Sequence, residues 1–203
     1  MNTSNNKEPL EQLRDFRNFL FVVWKHLNLP NPTDLQYDIA EFMQHGPKRS
    51  VVMAFRGVGK SEGEFDDGLG ELADAASALD FLQSHTPNST SCWVIGFSFG
   101  SWIGMQLLMR RPEISGFVSV SPPANSYDFS FLAPCPSSGL IINGSLDGIV
   151  PPSDIKVLSD RLKLQKGIEI SHKEIEGADH FFTNFEEEMT NAVSEYLATR
   201  SDF

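Results

Sequence analysis

Basic residues, cysteines and long apolar runs are all scarce in this chain, and each shortage removes a class of function. Lys and Arg number 16 against 27 Asp and Glu, a formal net charge of -11 over 203 residues. Residues 1–49 carry six basic and six acidic side chains, so the whole excess of negative charge lies from Ser50 onward. A surface of that sign repels phosphate backbones and anionic lipid headgroups. Neither nucleic acid nor a membrane is therefore the expected partner of that part. The two cysteines, Cys92 and Cys135, stand far apart, with neither metal-ligand spacing nor the makings of a disulfide framework. The run Phe19-Leu20-Phe21-Val22-Val23-Trp24 falls well short of the roughly 20 apolar residues of a membrane span. The start, Met1-Asn2-Thr3-Ser4-Asn5-Asn6, is polar rather than basic, and no small-residue cleavage site follows closely, so a signal peptide is not expected. A cytoplasmic protein is expected, and no cofactor is expected.

What is present is an alternation of strand and helix signals. At this length one domain is the default. Residues 1–9 are expected to be disordered. Leu10 to Leu27 places Leu13, Phe16, Phe19, Leu20, Val23 and Trp24 at helical spacing, which predicts a helix. Leu29-Pro30-Asn31-Pro32 breaks it, and Thr33 can cap a second helix through Gln44. Residues 1–49 thus read as a helical N-terminal segment. From Ser50 the pattern changes. Strands are predicted at Ser50–Phe55, from Cys92, and at Ser115–Val120, Ser138–Asn143 and Ile168–Ile175. Helices are predicted at Gly68–Gln83, Ser101–Arg111, Ser153–Leu164 and Thr183–Thr199. In the first of these helices Leu69, Leu72, Ala76, Leu79 and Leu82 share the inward face. Such alternation argues an α/β fold over residues 50–203, a mostly parallel sheet of about five strands with helices on both faces.

Three residues at three strand ends carry candidate chemistry. Gly96-Phe97-Ser98-Phe99-Gly100 lies between an apolar strand and a helix; G-x-S-x-G in that context is a nucleophile elbow, with the serine exposed on a strained turn. Asp147 follows the run Gly139 to Asn143, and His180 follows the strand ending near Ile175. Functional groups of open α/β sheets gather at these carboxyl ends. The reading is a triad of Ser98, His180 and Asp147 as nucleophile, base and orienting acid, with the Phe99 backbone N–H as oxyanion donor. Asp179 is passed over as the acid because neighbours in sequence rarely face each other. His26, His45 and His85 read as surface or capping residues and His172 as a strand-face side chain. Glu186-Glu187-Glu188 suits the start of a helix. Phe97, Phe99 and Phe181 adjoin the three positions and suggest an apolar or aromatic pocket. The short loop Pro122–Pro136 allows only a small lid.

On these motifs, with Phe55-Arg56-Gly57-Val58-Gly59-Lys60-Ser61, residues from about Phe55 to the C-terminus resemble bacterial α/β-hydrolases of the small, cap-poor kind related to dienelactone hydrolases. The resemblance covers nearly three quarters of the chain and implies hydrolysis of small esters or lactones. It also implies a strand and a loop rich in His, Pro and Gly, which supply a second oxyanion N–H and which this sequence lacks. That strand belongs between the Ser50–Phe55 strand and the elbow strand. Without it, the Ser50–Phe55 strand is expected to pair directly with the elbow strand and bring the Arg56 or Gly57 N–H to the oxyanion, or the N-terminal helices to cover an exposed sheet edge.

Residues from about Asp15 to Ser61 instead resemble the start of a phage terminase large subunit, the ATPase of DNA packaging. The similar pieces are the Phe19–Trp24 run, Pro32-Thr33-Asp34-Leu35-Gln36, and Ala54 to Ser61 as a degenerate phosphate loop with Gly57, Gly59, Lys60 and Ser61. Two resemblances sharing Phe55–Ser61 suggest a chimeric chain, either a hydrolase, a packaging-ATPase fragment or an inactive fusion. The acidic stretch Glu62-Gly63-Glu64-Phe65-Asp66-Asp67 counts against a bound triphosphate, and Lys60-Ser61 is followed by glycines rather than a helix.

Overall fold

The computed structural model describes residues 19–23, 50–58, 61–85 and 91–200, with 19–23, 50–54 and 85 described by backbone alone. Among the described residues six strands form one sheet: β1 Phe19–Val23, β2 Ser50–Ala54, β3 Trp93–Phe97, β4 Gly116–Val120, β5 Gly139–Gly144 and β6 Ile170–Ile175. The helices are α1 Leu69–His85, α2 Phe99–Leu108, α3 Pro152–Lys163 and α4 Glu186–Ala198. Spatial order is β2-β1-β3-β4-β5-β6. Strands β3 to β6 run parallel, and β1 is antiparallel to both of its neighbours.

Strands β3 to β5 are buried along their whole length, with mostly apolar side chains, because both sheet faces are covered. Alternation then sorts the side chains. Val94, Phe117 and Ile141 face a core closed by Ala75, Leu79 and Leu82 of α1, Ile103 and Leu107 of α2, and Ile155, Leu158 and Leu162 of α3. Trp93, Ile95, Phe97, Val118, Val120, Leu140 and Ile142 face the opposite core, closed by Met189, Val193, Tyr196 and Leu197 of α4. Ile141 is fully buried at the centre, where truncation to Ala costs about 2–5 kcal/mol. Helix α1 is also fixed at its amino end. The turn after β2 brings Arg56 Nε and Nη2 to Asp74, each donating at 2.8 Å. The fully buried Glu71 carboxylate accepts the Asp66 N–H at 2.9 Å and the Gly68 N–H at 2.8 Å.

Three expectations are corrected here. Phe19–Val23 is a strand rather than part of a helix over Leu10–Leu27. Phe-Leu-Phe-Val-Val is aromatic and β-branched, which favours a pleated surface, and the slot between β2 and β3 supplies two partner strands. For the same reason β2 does not pair with the elbow strand, and the segment fills the sheet interior rather than covering an edge. Leu69, expected inward, is 77% exposed; it opens α1 at the rim, beyond the reach of the core. The predicted helix Thr33–Gln44, the disorder of residues 1–9, and His26, His45, Gly59 and Lys60 lie outside the described residues.

Candidate active site

The turn from β3 into α2 determines how Ser98 is presented. Ser98 is the N-cap of α2 with φ 48° and ψ -121°, and its hydroxyl makes no capping bond. Serine at this position normally accepts a first-turn backbone N–H through its side-chain oxygen; here the backbone turns it outward. A left-handed serine costs about 1–3 kcal/mol, and neighbouring bonds hold it there. Ser98 N–H donates to Val120 O at 2.8 Å, and Ser101 donates to Ser98 O through its N–H at 2.9 Å and its Oγ at 2.7 Å. Gly96 is required by close approach: a Cβ there would lie 2.4 Å from Gly100 O and 2.5 Å from Ser101 Cα. The helix therefore starts at Phe99, two residues earlier than expected, with the Phe99 N–H in its first, unpaired turn.

Asp147 sits in the turn after β5, its side chain fully buried. Its Oδ1 accepts the N–H of Ile149 at 2.9 Å and of Val150 at 2.8 Å. Its Oδ2 faces His180 Nδ1 at 2.7 Å. An ionised carboxylate only accepts, so Nδ1 carries the hydrogen and Nε2 is left as an acceptor. Ser98 Oγ lies 3.1 Å from that Nε2. The imidazole is 3% exposed and packs against Phe97 at 5.3 Å and, edge-on, Phe181 at 5.1 Å between ring centroids.

The loop carrying His180 is braced independently of the carboxylate that faces the ring. Asp179 Oδ1 accepts the N–H of Phe181 at 3.0 Å and of Thr183 at 2.9 Å, and its Oδ2 accepts Thr183 Oγ1 at 2.8 Å. Asp179 thus folds the loop, and its carboxylate bonds go to Phe181 and Thr183 rather than to the imidazole. Leu146 N–H donates to Ala178 O at 2.9 Å and Gly177 N–H to Ser145 Oγ at 2.8 Å, joining this loop to the Asp147 turn. Gly144 permits that approach, since a Cβ would meet Ala178 O at 2.2 Å. Ser121 was missed by sequence reasoning. It is fully buried at the end of β4, has φ 46°, and donates its Oγ to His180 O at 3.2 Å. No local pattern marks it, because its partner lies 59 residues away.

The remaining sequence candidates fall elsewhere. His172 is half-buried on β6, its Nε2 2.6 Å from Asn143 Oδ1, and burial holds its pKa below the usual histidine value. Gly57 N–H donates to Glu62 O at 3.2 Å and Ser61 N–H to Val58 O at 2.9 Å. Those two amides close a turn and do not cradle phosphate. The turn is not followed by a helix until Leu69. Nor do Arg56 and Gly57 reach Ser98 through the sheet: β2 stands two strand spacings from β3, roughly 9–10 Å. Strand β1 fills the place of the expected oxyanion-loop strand in the opposite direction, so Val23, its carboxyl end, lies beside Trp93 at the far edge. Glu186–Glu188 open α4 as expected.

Comparison with known proteins bears on the fold and the family. The family model for the α/β-hydrolase fold matches residues 29–134, just over half of the chain, and the chain belongs to that family. It is 54% identical over 149 residues to an uncharacterized protein of Rickettsia prowazekii (strain Madrid E), covering 71% of this chain and 63% of that one. A crystal structure of an α/β-hydrolase candidate from Agrobacterium tumefaciens aligns at a TM-score of 0.78 and 54% identity, over 82% of this chain and 77% of the other. A serine hydrolase without a lid from Xanthomonas campestris aligns at a TM-score of 0.69 and 25% identity, over 87% of each chain. A separate match of 49% identity over 65 residues, 30% of this chain, is to the terminase large subunit of phage T3, of which it covers 11%. The chain thus spans less than two thirds of either of these curated relatives.

Proposed function

We propose that this protein is a serine hydrolase that cleaves small carboxylic esters or lactones through a covalent acyl-enzyme. The observation that carries this reading is the continuous chain of hydrogen-bond distances, 3.1 Å from Ser98 Oγ to His180 Nε2 and 2.7 Å from His180 Nδ1 to Asp147 Oδ2. His180 takes the Ser98 proton as the hydroxyl attacks the carbonyl carbon, then gives it to the departing alkoxide. Water, activated by the same imidazole, cleaves the acyl-enzyme and regenerates the hydroxyl. Asp147 holds the ring in the tautomer that accepts from serine and stabilises the imidazolium. The Phe99 N–H, in the first turn of α2, stabilises the oxyanion with the help of the helix dipole. Family membership supports this reading, as does the lidless serine hydrolase among the structural neighbours.

The test is turnover of p-nitrophenyl acetate by the full chain and by Ser98→Ala. The variant is expected to keep the melting temperature within a few degrees and to lose burst and turnover together. Equal turnover in both would remove Ser98 from the mechanism. We further propose that the chain joins two segments near Phe55–Ser61, a reading supported by the short terminase-like match. Amplification of the genomic locus across codons 55–61 is expected to give one continuous product; two separate loci would contradict a natural junction.

A further inference from the structure

Phe99, the residue that follows Ser98, is the centre of a cluster of aromatic rings contributed by separate segments. The Phe99 ring meets Phe55 at 5.5 Å, Phe65 at 5.6 Å, Trp102 at 5.7 Å and Tyr127 at 5.5 Å between centroids. Trp102 and Tyr127 lie 4.6 Å apart at 39°. Phe55 and Phe99 belong to the core. Phe65, by contrast, is 58% exposed on the loop before α1, and Trp102 and Tyr127 are half-buried. Trp102 is fixed by its Nε1–H, which donates to Asp128 O at 3.0 Å. The rings therefore form a partly open platform that begins at the residue next to Ser98.

Reaction geometry decides which part of a substrate meets this platform. The carbonyl oxygen must face the Phe99 N–H, and the leaving oxygen must face His180 Nε2 to receive its proton. The acyl substituent is then the part that faces neither the imidazole, whose ring contacts are Phe97 and Phe181, nor the oxyanion donor, and the rings gathered on Phe99, the residue that follows Ser98, offer it an apolar surface.

Charge narrows the class further. Glu62, Glu64, Asp66 and Asp67 are all exposed on the loop that presents Phe65. Among the described residues, Asp66 is the one of these four with an ion-pair partner, Arg56 at 4.0 Å, whose guanidinium already donates twice to Asp74. The field of this rim reaches the platform: the Tyr127 phenol is held above its ordinary pKa by burial first and then by the charges of Asp67 and Glu71.

We propose that Phe65, Phe99, Trp102 and Tyr127 form an acyl subsite for uncharged aryl groups, and that the acidic rim selects against acyl groups bearing a carboxylate. This rests on the serine-hydrolase reading above for its orientation, though the platform itself does not depend on turnover.

Two measurements separate the two ideas. In the first, kcat/KM is determined for p-nitrophenyl phenylacetate, acetate and hemisuccinate. The phenylacetyl ester is expected to lead, and the Phe65→Ala substitution to lower its ratio to acetate about three- to tenfold. Replacing Glu64→Gln and Asp67→Asn together is expected to raise the hemisuccinate rate several-fold at low salt. That gain should shrink at 1 M salt, where screening acts over about 3 Å. In the second, phenylacetamide and phenylacetate anion are titrated into the Ser98→Ala protein and read by tryptophan fluorescence. Binding of the amide, weaker binding of the anion, and loss of the signal in a Trp102→Phe background are expected. Amide binding without any ester turnover would keep the platform and overturn the hydrolase reading. Turnover with an unchanged ester ratio in Phe65→Ala, or a preference for the hemisuccinate, would overturn the subsite.

Discussion

Replacing Asp147 by Asn tests the proposed mechanism at one atom. The carboxylate serves two sides at once: Oδ1 accepts two backbone N–H groups, and Oδ2 accepts the imidazole N–H. An amide has one acceptor and one donor end. Turning its NH2 toward the Ile149 and Val150 amides would set donors against two donors in a buried turn, so the amide oxygen stays there. The NH2 group then faces His180 Nδ1 and donates to it, which drives the ring hydrogen to Nε2. His180 in that tautomer points a donor at Ser98 Oγ and cannot take its proton. The expected loss in kcat is about 10⁴-fold, or roughly 5 kcal/mol of barrier. Stability should fall by only about 1–3 kcal/mol, because the two backbone bonds survive and one charge-assisted bond is weakened. The assay is kcat against pH for an activated ester, alongside a thermal melt of the same preparation. Near-native activity in Asp147→Asn would refute the tautomer argument. Loss of the cooperative melt would show that Asp147 holds the fold and not the imidazole.

Other consequences follow from the same contacts. Gly96→Ala pushes a methyl group into Gly100 O and Ser101 Cα, so it should destabilise by at least about 1–3 kcal/mol in a denaturant titration and lower activity with it; an unchanged midpoint would contradict the elbow packing. Ser121→Ala removes the bond to His180 O, and kcat should drop about three- to tenfold, equivalent to about 1 kcal/mol, while KM for acetate esters holds; a KM effect alone would disprove a positioning role. Burial pushes the Cys92 thiol up to about 12. The folded state therefore keeps its proton while the unfolded thiol ionises near pH 9, so this contribution to stability is complete below pH 9 and drains away as pH rises toward 12. Wild type should accordingly lose more stability than Cys92→Ala over that window, and Ellman's reagent should leave the native thiol untouched at pH 8; rapid native labelling would contradict its burial.

The parts of this fold that follow from local pattern were legible in the amino-acid order. Strands β3 to β5 and the helices between them could be read because mostly apolar runs buried on both faces alternate with amphipathic stretches, and β6, half-exposed, because Ile168, Ile170 and Ile175 frame a short run after the next helix. Ser98, His180 and Asp147 could be read because each lies within a few residues of a strand's carboxyl end, and strand ends of a parallel sheet lie along one edge. Strand β1 could not, since Phe19–Val23 satisfies helical spacing with Leu13 and Phe16 as well as it satisfies a short strand, and only the vacant slot beside β3 decides between them. Leu69 shows the matching error at a helix start, where periodicity persists but the core has ended. Asp179 and Asp147 compete in sequence and separate in space: one binds its own loop, the other reaches across from the β5 turn. Ser121 left no trace, because a buried serine bonded to a carbonyl 59 residues away looks locally like any strand-end residue.

The most direct trial of the central claim is covalent. The folded 203-residue chain is treated with a fluorophosphonate, and the site of modification is mapped by peptide mass spectrometry. The account predicts a single stoichiometric adduct on Ser98 that is lost in His180→Ala while the melt of that variant stays cooperative. Folded protein that takes up no label, or takes it up on a serine other than Ser98, would contradict it.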